Sequence, residues 1–172
     1  MDRRKILNFL SIIALSLIVV FFPKHTGFVL SQFDDHQSPS LVTVSRIVDG
    51  DTIELSNGEI VRYIGIDTPE TKHPQKGVEC FGPEASQKNE ELVMGHDVEL
   101  EFDVSETDRY GRTLAYVWND GEMVNEQLIR QGFARVATFS PDVKYQDRFF
   151  KAEQFAREHQ LGLWGGCELN EL

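Results

Sequence analysis

Residues 51–67 read DTIELSNGEIVRYIGID, and this stretch decides the fold. Two β-rich runs, Thr52 to Leu55 and Ile60 to Ile66, flank Asn57-Gly58, a pair favoured in tight hairpin turns. A hairpin is therefore expected. Asp51 opens its first strand and Asp67 closes its second, so both carboxylates fall at the open end. Working outward, Leu41 to Ile47 supplies a preceding strand. Val98, Leu100 and Phe102 alternate with Glu99 and Glu101 as a half-buried strand, and Thr113 to Trp118 pairs with it. Three helices are interleaved. One runs from Pro83 toward Gly95, one from Met123 to Gln131 ahead of Gly132, and one carries Tyr145, Phe149, Ala152, Ala156 and His159 at helical spacing. Five short strands with helices inserted late predict an α+β protein, mainly a small closed β-barrel.

The chain has 172 residues, 17 basic and 28 acidic, for a formal charge of −11. Its first 31 residues hold Arg3, Arg4, Lys5 and Lys24 against Asp2 alone, leaving 13 basic and 27 acidic residues beyond them. A chain this acidic does not attract nucleic acid through its overall field, so a polyanion needs a local basic site or a bound cation. With 13 glycines, 6 prolines and 10% aromatics, the collagen, coiled-coil and disordered classes are excluded.

Arg3-Arg4-Lys5 followed by the apolar run Ile6 to Phe22 reads as an export segment. Either residues 1–31 are a signal peptide, cleaved after Val29-Leu30-Ser31, or residues 6–22 stay as an amino-terminal membrane anchor. Both readings put the remainder on the extracytoplasmic side: secreted, periplasmic or anchored at the membrane face. Residues 32–40 form a polar linker, 41–167 the folded domain and 168–172 a tail. Export also bears on Cys80 and Cys167, the two cysteines of the chain. An oxidising compartment and an exact pair favour one disulfide, with two buried free thiols as the alternative. The five histidines show no zinc spacing.

Asp51 and Asp67 have two readings. Asp49-Gly50-Asp51 and Asp67-Thr68-Pro69 are ordinary turn chemistry. They also supply oxygen ligands, and two carboxylates held close repel one another unless a hard cation lies between them. Arg62 falls by alternation with Ile60, Ile64 and Ile66 on a strand apolar on both faces. It is either a structural ion-pair partner or a guanidinium aimed at phosphate. Glu70, stiffened by Pro69, is a candidate base or water positioner. Arg109-Tyr110-Gly111-Arg112 offers two cations and an aromatic face, suited to phosphate plus base or sugar.

In this order, Val48-Asp49-Gly50-Asp51-Thr52, Arg62, Asp67-Thr68-Pro69-Glu70-Thr71-Lys72-His73-Pro74, Gly82-Pro83-Glu84-Ala85 and Thr107-Asp108-Arg109-Tyr110-Gly111-Arg112 closely resemble the staphylococcal nuclease (thermonuclease) family. Leu114-Ala115-Tyr116 and Met123-Val124-Asn125-Glu126 extend the match, which runs from about Leu41 to Trp164. The resemblance implies an OB-fold, a five-stranded barrel with three helices. It also implies a monomeric, calcium-dependent, sugar-non-specific nuclease that hydrolyses DNA and RNA, single-stranded or frayed by preference, to 3′-phosphate ends. Carried over by position, it implies Asp51, Asp67 and the Thr68 carbonyl as calcium ligands. Arg62, Glu70 and Arg112 become the catalytic set, and Lys76, Arg109 and Tyr110 the nucleotide contacts. One departure stands out: Thr138, Phe139 and Ser140 occupy the segment where the family's reference nuclease frames its nucleotide pocket with tyrosines. Relatives that bind nucleic acid on an OB-fold without cutting it form the rival class. They lack the acids and arginines that are all present here. A calcium-stabilised envelope protein would leave Arg62 and Arg112 without partners.

Overall fold

The hairpin expected from residues 51–67 is present in the computed structural model, which describes residues 41–71 and 77–168. The stretches read as an export segment and a linker (1–40), together with Lys76 and the last four residues, lie outside the described residues. Strand β2 (Thr52–Leu55) pairs antiparallel with β3 (Ile60–Tyr63), with Thr52 opposite Arg62 and Ile53 opposite Val61. Gly58 turns the chain at φ +84°, and Asn57 accepts a hydrogen bond from the Glu59 amide at 3.0 Å. The turn thus closes on a left-handed glycine and an asparagine side chain, as its composition requires.

Before the hairpin, β1 (Val42–Asp49) pairs with β2 along its length and with β5 at its start, where Val42 faces Val98. Two register shifts, between Val44 and Arg46 and between Ile47 and Asp49, bend β1 so that it serves both neighbours. Strand β5 (Asp97–Glu101) pairs antiparallel with β6 (Thr113–Asn119), and β6 closes the circuit by running parallel to β3, Arg62 opposite Leu114. The order β3-β2-β1-β5-β6 is a five-stranded mixed barrel, the OB-fold. Val44, Ile53, Leu55, Val61, Tyr63, Val98, Ala115 and Val117 fill it and are all but inaccessible to solvent.

Three helices pack around the barrel. Helix α1 (Gly82–Val93) carries Pro83 in its first turn, and Gly95 follows its end at φ +74°. Helix α2 (Val124–Arg130) stops before Gly132 at φ +77°, and α3 (Gln146–Glu158) buries Phe149, Ala152 and Ala156. Among the described residues no helix is long and apolar enough to cross a membrane.

Two expectations need correcting. The run Ile60 to Ile66 is not one strand. The chain kinks at Ile64 and Gly65, then resumes as β4 (Gly65–Asp67), which pairs with β8 (Arg135–Ala137). Gly65 sits at φ +79°, and a Cβ there would lie 2.6 Å from the Phe149 ring. The kink breaks the alternation that grouped Arg62 with Ile64 and Ile66, both of which are buried. Nor does Phe102 continue the β5 alternation: β5 ends at Glu101, and Phe102 is half exposed. Beyond these elements lie β7 (Glu122–Met123), which pairs with the end of β6, and a one-turn helix α4 (Leu163–Gly166).

Two buried asparagines supply hydrogen bonds that the irregular strands cannot. Asn125 donates to the Ile64 carbonyl at 2.9 Å and accepts from the Val117 amide at 2.9 Å, bridging the kink to β6. Asn89 of α1 donates to the Asp49 carbonyl at 3.0 Å and accepts from the Tyr63 hydroxyl at 2.8 Å. Fully paired buried polar groups of this kind fix one backbone geometry. Here they hold both strand ends that carry the acidic residues.

Candidate active site

The site begins at the two-residue turn Gly50-Asp51. Gly50 is needed for packing, since a Cβ there would meet the Thr68 side chain at 2.6 Å. The closeness lets Asp51 reach across. Its Oδ2 accepts from the Thr68 amide at 3.0 Å and the Thr68 hydroxyl at 3.1 Å, and its Oδ1 from the Thr52 hydroxyl at 3.0 Å. Asp49 supports the same turn, accepting from the Gly50 amide at 2.9 Å and the Thr71 hydroxyl at 3.0 Å.

Arg62, opposite Thr52, spans the two acids. Its Nη1 lies 3.1 Å from Asp51 Oδ2, and its Nη2 lies 3.2 Å from Asp67 Oδ1. Nη1 also donates to the carbonyls of Tyr63 at 3.1 Å and Ile66 at 3.0 Å. The kink at Gly65 is what turns the Ile66 carbonyl onto the guanidinium. An arginine that alternation would bury among isoleucines is instead satisfied at the barrel mouth.

Negative charge exceeds what Arg62 offsets. Burial raises the Asp67 carboxyl above its usual range, and the Asp51 charge adds to this against the pull of Arg62 and Arg135. Glu70 is raised by burial, then by the charges of Asp49 and Asp51, a hydrogen bond with Asp49, and Asp67. Crowded carboxylates are hard donors, and their chemistry fits a divalent cation. Among the described residues no three His, Cys, Asp or Glu side chains converge as a ligand set. A cation here would draw on Asp51, Asp67 and a carbonyl.

The parallel pairing of β3 with β6 sets the turn before β6 beside Arg62. In that turn Asp108 accepts from Arg112 Nε at 2.7 Å and from the amides of Tyr110 at 2.8 Å and Arg112 at 3.0 Å. Burial works against the Asp108 charge, but these donors outweigh it and hold the carboxyl below the usual carboxylate range. Arg109 lies over the exposed Tyr110 ring, 4.7 Å from its centroid, and Arg112 lies 5.5 Å from it. Between this turn and the kink is a cleft of about 550 Å³, bounded by Arg62, Arg109, Tyr110, Arg112 and the exposed Phe139. Arginines rim an apolar floor made by Ile64 and Ile66.

The structure therefore gathers Asp51, Arg62, Asp67, Thr68 and Glu70 at one strand end, and sets Arg109, Tyr110 and Arg112 across a cleft that Arg62 shares. Cys80 and Cys167 form a disulfide with a Cα–Cα distance of 6.0 Å. Lys76 falls outside the described residues. Sequence reading missed Asp108, Arg135 and Glu79. Asp108 was visible in the Asp108-Arg109-Tyr110-Gly111-Arg112 turn as a residue able to accept from amides two and four positions on. Arg135, opposite Asp67 in the β4–β8 ladder and with a buried, unpaired Nε, gives no signal without that pairing.

Comparison with known proteins adds a family. The model for staphylococcal nuclease homologues matches residues 60–166. The chain is 49% identical over 128 residues to the SPbeta prophage-derived endonuclease YokF of Bacillus subtilis, covering 72% of this chain and 43% of that protein. It is 47% identical over 128 residues to endonuclease YncB of the same organism, covering 72% and 61%. To the thermonuclease of Staphylococcus hyicus it is 37% identical over 166 residues, covering 94% and 98%. The chain thus spans less than two thirds of the two Bacillus relatives and nearly the whole Staphylococcus one.

Proposed function

The chain belongs to the staphylococcal nuclease family, and from that premise we propose that it is a calcium-dependent, sugar-non-specific nuclease that hydrolyses DNA and RNA. The observation that carries this reading is Arg62, which joins the acidic strand end to the arginine-rimmed cleft. Asp51, Asp67 and the Thr68 carbonyl are the proposed calcium ligands. The ion's contribution is to neutralise phosphate charge and polarise a phosphoryl oxygen.

The chain's own groups do the rest. Arg62 leaves the two aspartates and grips phosphate oxygens with the two-pronged geometry a guanidinium offers. Arg112 exchanges Asp108 for the phosphoryl oxygens from the opposite wall, where charge builds as the 5′ oxygen departs. Glu70 takes a proton from, or orients, the attacking water; its crowded setting raises its basicity. Net, one water adds across the bond, its hydroxyl to phosphorus and its other proton to the 5′ oxygen, which leaves a 3′-phosphate. Tyr110 and Arg109 hold the nucleotide, with Phe139 at the cleft mouth, and Lys76 is proposed to contact it too. An extended single strand, with bases free to stack on these rings, fits such a cleft better than a closed duplex.

Export belongs to the same reading: the basic and apolar amino terminus and the Cys80–Cys167 disulfide both suit an oxidising compartment. The test is digestion of single-stranded DNA with calcium, with magnesium plus a calcium-selective chelator, or with neither. Cleavage with calcium alone, ending in 3′-phosphates, is expected. Binding without cleavage under every condition would favour the non-catalytic OB-fold module.

A further inference from the structure

Glu70 is held from behind by a segment that the disulfide ties down. The Glu79 amide donates to the Glu70 carbonyl at 2.9 Å, and the Glu70 amide donates back to Glu79 Oε2 at 3.2 Å. Three residues on, Gly82 lies flat against the same backbone: a Cβ there would sit 2.7 Å from the Glu70 carbonyl oxygen and 3.2 Å from that of Pro69. Between these contacts are Cys80, bonded to Cys167, and Phe81. Phe81 holds φ +71°, a left-handed conformation costly for a side chain with a Cβ. Its ring packs 5.6 Å from that of Phe133 and leaves no room for a Cβ on Gly166, which would lie 2.9 Å away. One face of residues 79–82 touches Glu70. The other is bonded to the carboxyl-terminal turn.

We propose that the Cys80–Cys167 disulfide and Glu79 are positioning elements for Glu70, so that breaking the bridge slows the chemical step rather than merely loosening the fold. Glu70 sits beyond β4 on Pro69, with no strand partner of its own, and its main chain is fixed by Glu79 and Gly82. Those residues are fixed in turn by Cys80 and by a strained Phe81, which holds its conformation only while Gly166 and Phe133 stay in place. Misplacing a catalytic group by about 1 Å costs up to about a hundredfold in rate. The inference rests on the proposed role of Glu70 and predicts coupling to it.

The experiment is a double-mutant cycle on the full exported chain, with kcat, KM for single-stranded DNA and calcium affinity measured for each protein. In the parent, C80S/C167S is expected to lower kcat about tenfold while KM and calcium affinity stay within about threefold. In a Glu70→Gln background, the same pair of serines is expected to cause no further loss. An equal loss in both backgrounds would show a role unrelated to Glu70 and overturn the proposal. Should the serine variant unfold at the assay temperature, Glu79→Ala and Gly82→Ala carry the test with the bridge intact. Each is expected to reproduce the fall in kcat, and Glu79→Gln, which keeps a carbonyl acceptor for the Glu70 amide, to restore it. Parent-like kcat in folded Glu79→Ala and Gly82→Ala also overturns it. If Glu70→Gln itself keeps full activity, the reading of Glu70 fails first, and that outcome is distinct from loss in Glu70→Gln with parent-like turnover in the bridge variants.

Discussion

Arg62 Nη1 lies 3.1 Å from Asp51 Oδ2, next to the Thr52–Arg62 pair that begins the β2–β3 ladder. Both side chains are largely shielded from water. The pair satisfies a buried carboxylate, and in the proposed mechanism the same guanidinium is one exchange away from a phosphate.

Removing one partner is costly, because the other charge stays buried. Asp51→Ala is expected to destabilise the fold by about 3 kcal/mol. Asp51→Asn keeps an acceptor for the Thr68 amide and is expected to lose less stability, though as much activity. Chemical denaturation and a cleavage assay on the two variants check this.

Lysine at position 62 or 112 keeps the charge and loses the two-pronged contact. Arg62→Lys and Arg112→Lys are each expected to lower kcat by at least about a hundredfold with folded-state spectra unchanged. A near-parent rate in either would remove that arginine from the proposed mechanism.

Asp108 gives a prediction in pH. Its carboxyl lies below the usual range in the folded protein, held there against burial by donors from Arg112 and Tyr110. A depressed folded value means stability present above the ordinary carboxylate pKa and lost as pH falls through the lowered one. The 108–112 turn is thus expected to stay closed at neutral pH and to loosen only in acid below the ordinary aspartate range. NMR titration of the Asp108 side-chain carbon measures this, and Asp108→Asn should abolish the dependence.

Salt reports how local the binding is. With 13 basic and 27 acidic residues beyond residue 31, the proposed substrate binding is expected to rest on a few arginines at the cleft. The slope of log affinity against log salt is expected to reflect roughly two to four neutralised phosphates. A slope corresponding to eight or more would mean a broad basic track that these cleft residues do not provide.

The parts of this molecule legible in the sequence were those set by local rules. Asn57-Gly58 fixed a hairpin, and Pro83, Gly95 and Gly132 bounded two helices, because turn and cap chemistry acts over a few residues. The hairpin placed Asp51 at its open end, but Asp67 reaches it only because the chain kinks after Tyr63 into β4; the Cys80–Cys167 pair followed from its count. What escaped depends on distant packing. The kink at Gly65 exists because Phe149, 84 positions further on in the chain, occupies the space a Cβ needs. It converts an apparently continuous strand into two and turns Arg62 out of the isoleucine face. Phe102 leaves the alternation where β5 ends. The Glu70–Glu79 pairing and the Asp67–Arg135 ladder are tertiary, and no spacing announces them.

The most direct measurement of the central claim is the cleavage rate of single-stranded DNA as a function of free calcium, for the parent and Glu70→Gln side by side. The account predicts saturable activation by calcium in the parent. In Glu70→Gln it predicts a rate at least about a hundredfold lower, with the calcium midpoint within about threefold. Parent cleavage that persists without calcium, or Glu70→Gln cutting at the parent rate, would contradict it.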